Sequence, residues 1–450
     1  MTCIEKMYDI LNTIHFDVIP AEVKSKAKLL LSDYLGVLIA GSQKTEAQQL
    51  LAALQGKIQY PEVLACWLGT VSRLLDFDDG HRYAMGHPGV VVQSATLACA
   101  YIAQQIDGSK YIEALVRGYE MYCYLGRSVN PSAYTKRGFD STAISGASAA
   151  AVVAAHILDL DSQKTKNAIA LAATLCGGLN QAAIDGSSQK YILAGWAAQL
   201  GITAAQMAQA GIDGPSHALE GELGFCNAFS PEPNFNVLNN PQLRNDILRV
   251  YTKKFSCVRR IHTQLDLLES ILHDNDLTEK DIERITVYGG EFLQPAGFYD
   301  PQNLAQAQTC IPYNLALLLH YGHVTEDDVR SNIGNTMIST LAKKVTVELD
   351  QEFILLSQKD KSLWGAAKLS VITHTGRTFR AEEIYPKGEF ENPFTEDDTK
   401  SKFDILVTPV YGVDPTQELW TFISNIDKQC PIDFSKLHIL DQTINEELVK

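Results

Sequence analysis

Through the first half of the chain, apolar residues return every three or four positions. AEVKSKAKLLLSDYLGVLIAG, from Ala21, keeps this one-face spacing until Gly41, with Pro20 just before it, and predicts a helix with both punctuation marks in place. VVVQSATLACAYIAQQ is apolar almost all round, as a helix buried on every side has to be. GSKYIEALVRGYEMYCYLGRSV follows, with Ser109 as its candidate cap and Leu and Tyr gathered on one face. SGASAAAVVAAHILDL and GWAAQLGITAAQMAQAG are dense in Ala and Gly, and side chains this small let helix backbones approach closely. The pattern predicts a tightly packed all-helical core. His156, alone on an Ala-rich face, reads as a core histidine rather than a ligand.

After about residue 280 the period changes to two. RITVYGG, KVTVELD and AAKLSVITHTGRTFRAEEIY alternate apolar with polar residues and carry β-branched side chains, so they predict strands, with THTGR as a hairpin turn. NLALLLHYG and TEDDVRSNIGNTMISTLAKK, lying between the first two strands, read as helical. ENPFTEDDTKSKF returns to a charged helical pattern, and the C-terminal segment is expected to rejoin the first domain. The fold class is therefore mainly α: an all-helical domain from residues 1–250 and 391–450, and a smaller α+β domain over 251–390.

Composition narrows the possible partners. The chain has 450 residues, 46% of them hydrophobic and 20% charged, which is ordinary for a globular protein with a large core. A net charge of −15 argues against a nucleic-acid surface and against binding to anionic membranes. Nine cysteines without a CxxC pair suit free, buried thiols in a reducing compartment, and argue against an iron–sulfur cluster or a cysteine zinc site. The N-terminus lacks a basic start followed by an apolar stretch, and no apolar run approaches membrane-spanning length, so a cytoplasmic location is expected.

Phosphate-loop, dinucleotide-fold, HExxH and GxSxG motifs are all missing. Five polar clusters in apolar settings remain. LLDFDDGHRYAMGHPG, from Leu74, holds Asp76, Asp78, Asp79, His81, Arg82 and His87. RGFDSTAISG places Asp140 and Thr142 before the Ala-rich helix, where Asp140 or Ser141 would equally serve as a cap. In IDGSSQKYILAGWAAQ, Lys190 precedes an otherwise uncharged helix and either snorkels or faces a pocket. YTKKFSCVRRIHTQLD packs Lys253, Lys254, Arg259, Arg260 and His262 among Phe255, Val258 and Ile261, so part of this basic run should face inward and suit a substrate with several carboxylates. In QTCIPYNLALLLHYG, Tyr313 follows Pro312 at a helix start, where a packed core tyrosine is the ordinary reading. The spacing of His81, His87, Asp78 and Asp79 matches no standard metal site.

LLDFDDGHRY…GHPG, DGSKYIEALVRGYE, RGFDSTAISGASAAA, DGSSQKYILAGWAA, GIDGPSHALEGELGF, KKFSCVRRIH, IPYNLAL and EIYPKGEFENPFTEDDTKSKF occur in this order across nearly the full chain. Together they resemble the MmgE/PrpD family, which includes 2-methylcitrate dehydratase, cis-aconitate decarboxylase and iminodisuccinate epimerase. The resemblance implies a large helical domain built from both chain ends, a smaller α+β lid domain, a homodimer, and chemistry without metal or cofactor in a cleft between the domains. It carries site roles to Asp76, His87, Lys190, Lys253, His262 and Tyr313. Asp140 stands where decarboxylase members carry His, Gly80 where they carry Thr, and Val258 where they carry a further His.

The family reactions each develop negative charge on a carbon beside a carboxylate. Lys190, Lys253, Arg259 and Arg260 are the expected stabilisers and carboxylate grips. His87 is the first choice of base, oriented by Asp76, with Asp140 as an alternative carboxylate base and Tyr313 as a proton donor. The expected function is a metal-independent lyase acting on a small di- or tricarboxylate through an enolate-like intermediate, most like a 2-methylcitrate dehydratase. An epimerase of an amino- or imino-dicarboxylate, a cis-aconitate decarboxylase, and a catalytically impaired metabolite-binding paralogue are the alternatives.

Overall fold

The computed structural model describes residues 1–440 and 443; the end of the expected C-terminal segment, residues 441–442 and 444–450, lies outside the described residues. The first half is helical as its spacing predicts. It runs through α1 (Cys3–Leu11), α2 (Ala21–Ser42), α3 (Thr45–Ala53), α4 (Pro61–Arg73), α5 (Gly89–Ala103), α6 (Gly108–Val129), α7 (Ser132–Arg137), α8 (Ser141–Ile157), α9 (Ser162–Leu175), α10 (Gln181–Asp185) and α11 (Gln189–Gln209). The short α12 (Phe225–Phe229) and α13 (Phe235–Asn239) complete it. Ser109 does not cap α6; it lies in the first turn, and the cap position falls to Asp107, whose backbone is extended.

Small residues decide how these helices meet. A Cβ at Gly195 of α11 would lie 2.0 Å from the carbonyl oxygen of Cys66 on α4, and one at Gly201 would lie 2.4 Å from that of Ala147 on α8. A Cβ at Gly69 of α4 would in turn meet the Gly195 backbone at 2.9 Å. Backbones this close leave no room for a methyl group, so α4, α8 and α11 form a rigid centre. The end of α4 and the start of α11 are thereby held side by side, and the first functional groups stand there.

The second half builds a four-stranded sheet of order β2-β1-β3-β4, from β1 (Ile282–Gly289), β2 (Val345–Leu349), β3 (Ala367–Thr373) and β4 (Thr378–Glu383). The β1–β2 pair is parallel, with Ile285 opposite Val345, and needs a helical crossover. That crossover contains α15 (Leu304–Ala307), α16 (Ile311–Tyr321), α17 (Glu326–Ser331) and α18 (Thr336–Ala342). The segment expected as one helix from Thr325 is thus two, separated at Asn332–Asn335, where Asn335 caps α18. β3 and β4 form the expected hairpin, turning where Gly376 has φ +81°, a conformation that suits glycine. In β3 buried positions dominate, while β4 alternates exposed and half-buried residues as an edge strand does. α14 (His262–Asp274) packs on this sheet, and α19 (Gln351–Lys359) follows β2.

Two large apolar cores result. One joins residues of the first half, from Cys3 to Val250, to Phe403, Val407, Leu419, Trp420 and Ile423 near the C-terminus. The other holds residues from Phe255 to Val371. The C-terminal contribution comes from α20 (Glu396–Tyr411), started by a capping box between Thr395 and Asp398, and α21 (Val413–Ser424). The chain passes between the cores through residues 251–254, and this strip is tied down heavily. Tyr251 and Gly80 exchange both backbone hydrogen bonds, at 2.8 and 3.1 Å, and the Thr252 N–H donates to the Gly388 carbonyl at 3.0 Å.

Candidate active site

Asp76 follows the end of α4 with φ +48°, a left-handed conformation that costs a non-glycine residue about 1–2 kcal/mol. Its carboxylate is buried and holds three cations. Lys253 Nζ lies 2.6 Å from Oδ1, Lys190 Nζ 3.0 Å from Oδ2, and Arg73 Nη1 3.3 Å from Oδ1. Lys253 Nζ also donates to the Asp76 carbonyl at 2.7 Å. Burial alone would raise the Asp76 pKa, but Lys190, Lys253 and Arg73 hold it well below the usual carboxylate range. Lys190, in the first turn of α11, is pushed the other way by burial, its pKa lowered although Asp76 partly restores it.

The loop after Asp76 continues the network. Asp78 accepts from Arg73 Nη1 at 2.8 and 3.0 Å, and its Oδ2 lies 2.9 Å from His87 Nδ1. His87 Nδ1 also faces the Asp79 carbonyl at 2.7 Å. Two acceptors at Nδ1 place the proton there and leave the Nε2 lone pair free. Burial and the nearby Arg73 lower the His87 pKa while Asp78 opposes them, so the ring is neutral near pH 7. Asp79 serves structure: it accepts from the Tyr119 hydroxyl at 2.8 Å and the Gly89 N–H at 2.9 Å, starting α5, and burial pushes its pKa up to about 7. From behind, Lys402 of α20 spans the Phe77 carbonyl at 2.7 Å and Asp33 Oδ1 at 2.6 Å, so α20 fixes the same loop.

These groups open onto a cavity of about 700 Å³ between the two cores. Arg73, Asp76, His87, Asp140, Lys190, Lys253, Arg259 and Arg260 all line it. Asp140 is both cap and wall, for its Oδ1 accepts from the N–H groups of Thr142 at 2.8 Å and Ala143 at 3.3 Å to start α8. Thr142 Oγ1 in turn receives the His87 N–H at 3.2 Å. The two arginines differ. Arg259 is paired with Glu389 and donates to the Ser362 carbonyl at 3.1 Å. Arg260 forms no ion pair among the described residues; its Nε is buried without a partner and its guanidinium lies 5.0 Å from the Phe292 ring centroid. Phe292 packs against Trp364, ring centroids 3.9 Å apart, as an aromatic shelf on the same wall.

Two expected site residues stand elsewhere. Tyr313 is buried in the second core, and its hydroxyl donates to the Val329 carbonyl at 2.8 Å; it does not line the cavity. Its place after Pro312 does start a helix, but the ring turns inward to satisfy a backbone oxygen. His262 is likewise off the cavity, with Nε2 3.3 Å from the Cys257 carbonyl, and burial lowers its pKa to about 3. Arg73 carries no expectation from sequence although it bridges Asp76 and Asp78; its only trace is one charge within VSRLLDF. His81 Nδ1 accepts the Ala84 N–H, while Asp78 and Asp79 are engaged as above, and among the described residues no three His, Cys, Asp or Glu side chains group to hold a metal ion.

Two family models match the chain. The MmgE/PrpD N-terminal domain matches residues 5–238 and the MmgE/PrpD C-terminal domain matches residues 255–428. The chain belongs to the MmgE/PrpD family. A cis-aconitate decarboxylase-like protein, oryM, of Aspergillus oryzae is 25% identical over 92% of each chain. A cis-aconitate decarboxylase of Aspergillus terreus is 21% identical over 96% of this chain and 94% of its own.

Proposed function

We propose that the protein is a lyase that removes a small group from a di- or tricarboxylate through an enolate-like intermediate. The observation that carries this is the meeting of Arg73, Lys190 and Lys253 beside a neutral His87 whose Nε2 is free. Three cations meet around Asp76 and Asp78, so their positive groups stand beside a substrate carboxylate and the charge growing on the adjacent carbon. His87 takes the proton from carbon. Arg260, unpaired on its aromatic shelf, takes a second carboxylate at the far wall and fixes the pose. Family relatives named as cis-aconitate decarboxylases support a lyase.

Between the lyase reactions we favour dehydration of a 2-methylcitrate-like acid. His87 is placed to remove a carbon-bound proton, and Asp140 and Val258 line the cavity where decarboxylase members of the family carry histidines. Decarboxylation is the second reading, and the names of the relatives favour it.

Citrate, methylcitrate and cis-aconitate are the acids to test. Dehydration yields an unsaturated acid absorbing in the near ultraviolet, decarboxylation releases CO2, and epimerisation exchanges carbon-bound hydrogen in deuterium oxide without loss of water. Activity is expected to survive a chelator. Arg260→Gln should raise KM for the converted acid about tenfold or more, the scale of one lost charge-assisted contact, with kcat changed less. Conversion of none of these acids, or an unchanged KM in Arg260→Gln, would count against the reading.

A further inference from the structure

Gly80 stands inside the carboxylate-rich loop, directly paired with Tyr251 across the strip between the cores. A Cβ at this glycine would lie 2.2 Å from Tyr251 Oη and 2.3 Å from Cζ. Gly80 has no positive φ to demand a glycine, so the missing side chain serves space alone: it admits the phenol. Tyr251 is 7% exposed and lines the cavity. Its hydroxyl has no protein hydrogen-bond partner among the described residues, and the Arg259 guanidinium lies 5.5 Å from its ring centroid.

The other phenols near the cavity are placed differently. Tyr83 Oη receives a hydrogen bond from Arg82 at 2.7 Å, and Tyr313 is bonded to Val329 in the second core. Tyr134 is half-buried on the short α7. Tyr251 alone is held by two backbone hydrogen bonds to the loop that carries Asp76 and orients His87. Burial raises its pKa, so the hydroxyl keeps its proton until something more basic forms beside it.

The geometry points to Tyr251 as the proton donor of the reaction, with Gly80 as the residue that makes room for it. This role rests on the lyase reading above. In a dehydration His87 removes the carbon-bound proton, the C–O bond breaks with its electron pair on oxygen, and the Tyr251 proton completes the departing water. The imidazolium then returns its proton to the phenolate through solvent, and both groups are restored. In a decarboxylation the electron pair of the broken C–C bond goes to carbon, the Tyr251 proton ends on that carbon, and solvent reprotonates the phenolate.

Tyr251→Phe removes only the oxygen, and Gly80→Ala pushes the ring from its place while keeping the hydroxyl. Both variants, their combination and the wild type are assayed on whichever of citrate, methylcitrate and cis-aconitate the wild type converts. Each single variant should lower kcat about 10²-fold, the lower end of general acid–base catalysis, with KM within a few fold and thermal unfolding of Tyr251→Phe near that of the wild type. The combined variant should be no worse than the poorer single one, because both remove the same donor. A wild-type kcat in Tyr251→Phe, or losses that multiply in the combination, would overturn the role and leave the lyase reading standing. A wild type that converts none of the acids would overturn the lyase reading and this role with it.

Discussion

His87 titrates between opposing neighbours, and this sets a pH dependence. Burial and Arg73 lower its pKa below the ordinary 6.5, while Asp78 raises it. The base works neutral, so kcat/KM is expected to fall as pH drops through a value below 6.5. Asp78→Asn removes the raising partner, so the acid limb should move to still lower pH while the rate also falls from lost orientation. His87→Gln should cost about 10²–10⁴-fold in kcat/KM, the usual worth of a general base. A pH–rate profile of the three proteins checks this, and a limb that moves upward in Asp78→Asn would contradict the assignment. Arg259 shows the other side of residue-scale reasoning. Its charge is visible in the sequence, yet Glu389, 130 positions away, takes it up, whereas adjacent Arg260 stays unpaired.

At the scale of elements, catalytic placement depends on a helix contact without functional groups. Lys190 begins α11 and Asp76 follows α4, and the two helices touch through Gly195 and Gly69. Gly195→Ala puts a methyl group 2.0 Å from the Cys66 carbonyl, so the helices must part. Overpacking of this kind costs about 1–3 kcal/mol, and the separation should also loosen the Lys190–Asp76 pair. Thermal unfolding should therefore show a loss of stability, and activity should fall although no site residue is changed. A fully active, equally stable Gly195→Ala would show that the spacing of α4 and α11 does not matter. The density of Ala and Gly in α8 and α11 was legible from the sequence; which glycine meets which backbone was not, because that depends on crossing points between helices far apart in the chain.

At the scale of the whole molecule, the cavity exists only because two cores face each other. α20, near the C-terminus, packs on α2 and reaches the Phe77 carbonyl through Lys402, so both chain ends support one loop. Among the described residues no helix is long and apolar enough to cross a membrane, and all nine cysteines are free. We propose a homodimer. Ile192 and Trp196, one turn apart on α11, and Leu175, at the end of the adjoining α9, expose large apolar side chains that a second copy would cover. Light scattering should give twice the chain mass, and Trp196→Glu should shift it toward one; a wild-type monomer at micromolar concentration would end this proposal.

Period and composition determined most of the architecture: helices where apolar residues return every three or four positions, strands where they alternate, a hairpin at Thr373–Arg377, and a net negative charge. The crowded loop from Asp76 to His87 was also legible, because carboxylates and imidazoles between apolar runs are too costly to bury without partners. Tertiary structure alone decided which partners they have. It turned Tyr313 and His262 into satisfied core residues, brought Arg73 to Asp76 and Asp78, and set Tyr251 in the space Gly80 leaves. The physical reason is distance: a pattern within a few residues reports local backbone geometry, whereas charge pairing, burial and free volume depend on groups that meet only when the chain folds.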